Sequence, residues 1–107
     1  MKRDIYRYTF KPEIPVQQIG DSLFLAVFAS EGLHGRAQVR LDAAFFLDEK
    51  SRTCVVDATT PVGQSIAQIF TGFLAREFGE DAFTVERVLS DEPVARPENL
   101  HPAGVDR

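Results

Sequence analysis

A chain of 107 residues can build one domain around a single core without disulfide or metal staples. Its 44% apolar and 26% charged content is ordinary for a globular domain. A net charge of −4 without clustered Lys and Arg argues against a nucleic-acid surface, and the single Cys54 excludes an internal disulfide.

The opening Met-Lys-Arg-Asp has no apolar signal segment behind it, and the longest apolar run, residues 23–29, is far too short to span a bilayer. The expected location is cytoplasmic, with no membrane and no nucleic acid among the partners. Residues 3–10 alternate, with Tyr6, Tyr8 and Phe10 on one side and Ile5, Arg7 and Thr9 on the other. Period two with aromatic side chains predicts a first strand. Lys11 to Pro15 carries two prolines and breaks it.

A helix is expected from Val16 to about Ser30, its core stripe made by Val16, Ile19, Leu23, Val27 and Ser30. Phe24, Leu25 and Phe28 make its central turns apolar nearly all round, whereas a helix on a domain surface normally has a wet side. They are therefore candidate interface residues. Gly32 and Gly35 are its candidate stops.

Arg36 to Ala58 reads as a hairpin turning at Asp48-Glu49-Lys50-Ser51. Ala37, Val39, Leu41, Ala43, Phe45 and Leu47 share one face of its first run. A two-residue turn at Glu49-Lys50 sets Phe45 opposite Cys54, Ala43 opposite Val56 and Leu41 opposite Ala58. It also sets Asp42 opposite Asp57, a like-charge pair that Arg40 or Arg7 would have to offset. Phe46 and Val55 fall on the outer face, as further interface candidates.

Thr60 as N-cap and Pro61 at the first position open a second helix that Gly79 ends. Val62, Ile66, Ile69, Phe70, Phe73, Leu74 and Phe78 recur at three and four. Phe83 to Leu89 is a last strand, with Phe83, Val85 and Leu89 inward. From residue 91 to 107 prolines and charges replace periodicity, which predicts a flexible tail behind a domain of residues 1–90.

The order β-α-β-β-α-β resembles the ferredoxin-like superfold. That resemblance implies an α+β sandwich: a four-stranded antiparallel sheet of order 4-1-3-2 with two helices on one face. The fold hosts many activities and licenses none. No Cys-x-x-Cys of a heavy-metal-binding domain, no RNA-recognition aromatic string and no acylphosphatase anion loop is found. No cofactor or metal is expected.

Three sets of ligand candidates remain. Arg7, Asp42, Asp57 and Glu86 would form a charged row on the uncovered sheet face, within a surround of Ile5, Phe46, Val55 and Val88. His34 and Arg36 flank a helix end, where an anion or proton could be handled. Thr59 and Thr60 stand at a helix start, where backbone N–H groups can hold an anion. The leading expectation is a non-catalytic association module, as a homodimer or with a protein partner. The alternatives are a regulatory domain of ACT-like character binding a small anionic ligand, and a dimeric αβ-barrel enzyme.

Overall fold

The computed structural model describes residues 2–92 and Val94. It contains β1 (Arg3–Phe10), α1 (Val16–His34), α2 (Arg36–Asp42), β2 (Phe45–Asp48), β3 (Thr53–Asp57), α3 (Pro61–Phe78), a 3₁₀ turn (Glu80–Ala82) and β4 (Phe83–Ser90). The strands form one antiparallel sheet of order β2-β3-β1-β4. This is the 4-1-3-2 order expected, in an α+β fold with a βαββαβ-like sequence of elements. Three helices pack on it rather than two.

The core lies between the helices and one sheet face. Tyr8, Phe10, Phe45, Cys54, Val56 and Phe83 come from the strands, and Ile19, Leu23, Val27, Val39, Ile66, Phe70 and Leu74 from the helices. Burying one such large side chain contributes about 1.5–3 kcal/mol. Tyr8 is wholly buried, and its ring meets Phe70 edge-on at 4.9 Å.

The α3 segment folds as its sequence reads. The Thr60 hydroxyl accepts from the Gly63 N–H at 3.1 Å, Pro61 is the first helical residue, and Gly79 closes the helix at φ 91°. α1 runs past Gly32 to His34; Gly35, at φ 88°, stops it. Only a residue without Cβ enters that region cheaply.

Residues 36–42 correct the expectation of a strand. They form a short helix closed by the Ala43 N–H on the Val39 carbonyl (2.8 Å), with Gln38 donating to Asp42 at 2.7 Å. Val39 alone of the helix is buried, and Leu41 is exposed. A single buried residue satisfies both periods, and Arg, Ala, Gln and Leu prefer the helix.

The hairpin register is also corrected. Phe45 faces Val56 and Leu47 faces Cys54, two residues from the expected pairing. The turn spans four residues, 49–52, with Arg52 at φ 58°. An even slip keeps every side chain on its own face, which is why the inward set survives. The turn is pinned at both ends. Asp48 accepts from the Lys50 N–H at 3.1 Å, and Arg52 donates to the carbonyls of Lys11 and Ile14.

Candidate functional site

The expected charged row does not form; its members separate into local pairs. Arg7 on β1 meets Glu86 on β4 at 3.4 Å, as directly opposed residues. Both are substantially exposed, so the pair contributes at most about 1 kcal/mol. Asp57 is opposite Ile5, not Arg7, and is buried. Its partner is Arg3, at 3.0 Å, and its second oxygen accepts from the Thr59 N–H at 2.9 Å. Asp42 ends α2, outside the sheet, so no like-charge pair with Asp57 arises across strands.

Sequence reasoning misses Arg3 in this role. It shares the parity of Ile5 and Arg7, so the alternation of the first strand already places it on the outer face. Choosing it over Arg7 requires the β1–β3 register, which depends on loop lengths.

Two hollows collect the remaining candidates. A cleft of ≈ 350 Å³ is lined by Arg3, Asp42, Asp57 and Thr60, among others, so these do converge at one end of the sheet. On the face opposite the helices, Ile5, Arg7, Phe46, Val55 and Val88 line a groove of ≈ 410 Å³. The apolar surround expected there is thus assembled, with Arg7 in it. Val94 lines both hollows, so the chain after β4 reaches across this face. The rest of the expected tail, except Asp91 and Glu92, lies outside the described residues.

His34, Thr59 and Thr60 are tied internally. His34 Nε2 and the Ser65 hydroxyl share a hydrogen bond of 2.8 Å that links the end of α1 to the first turns of α3. Arg36 opens α2 and lines a separate hollow with Ala37, Arg40 and Leu41. The Thr59 hydroxyl accepts from the Asp4 N–H at 3.0 Å, and Thr60 caps α3. Among the described residues no group of three or more His, Cys, Asp or Glu is placed to hold a metal. No described helix is long and apolar enough to cross a membrane.

The interface candidates are at the surface. Leu25 is 57% exposed, Phe28 55% and Phe24 38%. Phe24 leans edge-on toward Phe45 at 6.3 Å. Phe46 and Val55 oppose each other across β2 and β3 on the open face.

Two buried groups titrate abnormally, and both belong to the core. Desolvation by burial raises Tyr8 from 10.0 to about 12 and Cys54 from 9.0 to about 12. The Tyr8 and Thr71 hydroxyls share a hydrogen bond of 2.8 Å, and both lie within reach of the Ala67 carbonyl, at 3.3 and 2.7 Å. The folded state therefore holds both protons more tightly than the unfolded chain. The stabilisation is complete below the unfolded values of 9.0 and 10.0 and is lost as pH climbs toward about 12. Each group steepens the loss by up to about 1.4 kcal/mol per pH unit in that window. Urea midpoints measured from about pH 8 to about pH 11 are expected to fall, and Cys54→Ala to flatten the onset. A flat profile would contradict the burial of both groups.

Comparison with known proteins finds no match: no family model, no curated protein and no solved structure is significantly similar to the chain.

Proposed function

We propose that this chain is a non-catalytic association module of ferredoxin-like architecture, acting as a homodimer or as a small subunit of a complex. One observation carries the reading. α1 buries Ile19, Leu23, Ala26, Val27 and Ser30 on one side and presents Phe24, Leu25 and Phe28 to solvent on the other. Single exposed apolar residues are normal, but three large ones on adjoining turns mark a surface meant for cover.

The alternatives have less support. An anion at the start of α3 would compete with hydroxyls already used by Asp4 and Gly63. Among the described residues no carboxylate is bonded to the second ring nitrogen of His34, so its pairing with Ser65 lacks the orienting group of a catalytic set.

Light scattering at high micromolar concentration tests the proposal. The expected mass exceeds the 11.9 kDa of one chain, and Leu25→Glu with Phe28→Glu lowers it. Both positions are exposed, so the fold tolerates the change. A strict monomer overturns the homodimer reading.

A further inference from the structure

The sheet ends on β4, and among the described residues no strand pairs with its outer edge. One bond fixes how that edge is oriented. The Lys11 N–H donates to the Ala82 carbonyl at 3.0 Å, immediately beyond the opposed pair Phe10 and Phe83. Bonded pairs recur at every second residue of an antiparallel ladder. The even-numbered residues of β4 therefore direct their N–H and C=O groups toward β1. Val85, Arg87 and Leu89 direct theirs outward. These three also share the sheet face of Phe83, and Val85 (43%) and Leu89 (62%) remain exposed there. The strand has no proline and no lysine, and its register with β1 runs without a bulge. Among the described residues, the only usual edge protection the strand carries is the charge of Glu86 and Arg87.

We infer that β4 pairs antiparallel with β4 of a second copy, about a twofold axis through Arg87. The inference rests on the association reading and names one contact that serves it. About this axis Val85 faces Leu89 of the partner subunit, and Leu89 faces the partner subunit's Val85. Thr84 comes opposite Ser90 of the partner subunit, and Glu86 opposite the partner subunit's Val88. Arg87 alone meets its own kind, and Asp4 already neutralises it through two bonds of 2.8 and 2.9 Å. Neighbouring registers fit worse. One sets Glu86 against Glu86 of the partner subunit and Val85 against the partner subunit's Arg87. The other sets Leu89 against Arg87 of the partner subunit. Only the axis at Arg87 gives both apolar pairs without opposing carboxylates, and this self-complementarity selects a second copy as the occupant. The contact is independent of the α1 face, because Phe24 of that helix lies against Phe45 on β2, at the other edge of the sheet.

Sedimentation equilibrium and amide exchange on the full chain test the pairing. Leu89→Lys is expected to raise the dimer dissociation constant about ten-fold or more. Val85→Pro, which removes an outward donor and leaves the bonds to β1, is expected to do the same. The amides of Val85, Arg87 and Leu89 exchange more slowly as concentration rises. Unchanged association in both variants, with concentration-independent exchange at these amides, overturns the edge pairing. If Leu25→Glu then disrupts the assembly, the association reading stands without it. A chain monomeric at every concentration overturns the edge pairing and the homodimer reading together.

Discussion

Gly63→Ala is expected to lower the unfolding free energy by about 3 kcal/mol or more, although it adds a single methyl group. Gly63 is buried in the first turn of α3, where the helix is pressed onto the end of β3. A Cβ there would overlap the carbonyl oxygen of Asp57 and lie 2.9 Å from its carbon and 3.1 Å from Ala58 Cα. All of these are backbone atoms, so no side chain can swing aside. Relief requires α3 to move off β3, and that loosens the Thr60 cap and the seat of Asp57 together. Gly72→Ala in the same helix is the internal control. Nothing lies within 4 Å of where its added methyl group would sit, and the site is exposed. There the better helix propensity of Ala is expected to stabilise by about 0.5–1 kcal/mol. Urea unfolding of the pair decides the matter: equal midpoints would mean that α3 does not rest on β3 as described.

Phe70→Ala is expected to cost about 3–5 kcal/mol. Phe70 is fully buried on α3, and its ring sits edge-on to Tyr8 at the centre of the sheet. Truncation removes the transfer energy of the ring and opens a cavity between α3 and β1. It also takes away the edge-to-face contact, worth about 0.5–1.5 kcal/mol beyond burial. Domains of this size have about 5–15 kcal/mol in all, so the variant is expected near the limit of folding. A fall of about 4–8 °C in Tm per kcal/mol makes the loss plain in a thermal melt. Phe70→Leu keeps most of the volume and should lose much less. If Phe70→Ala melts like the parent chain, the core is not centred where these contacts put it.

The two helices α2 and α3 differ in how far the sequence reveals them. α3 carries redundant signals: a capping Thr, a Pro that needs no N–H, apolar residues at three and four, and a closing Gly. Each implies the same boundaries, and the structure has them. α2 carries one buried residue, Val39, and one point cannot distinguish a period of two from 3.6. The sheet order follows from element order and crossover handedness. Opposed residues do not, because the turn's length sets the hairpin register and Arg52 entering positive φ leaves no sequence mark. The candidate site suffers for the same reason. Asp42 and Asp57 face each other only under a two-residue turn, and the carboxylate expected beside Arg7 is held by Arg3. Exposure of Leu25 and Phe28 is legible, since the wheel of α1 has one core side and these residues are not on it.

The place of β1 in the sheet has a consequence for synthesis. It is made before either strand that flanks it, yet it sits between β3 and β4. Its even-numbered backbone groups wait for residues 53–57 and its odd-numbered groups for residues 83–90. A nascent chain halted before β4 therefore holds an aromatic-rich ribbon with one side open, the kind of species that collects on chaperones. Ribosome-bound chains of increasing length should gain protease resistance in one late step, once β4 clears the exit tunnel.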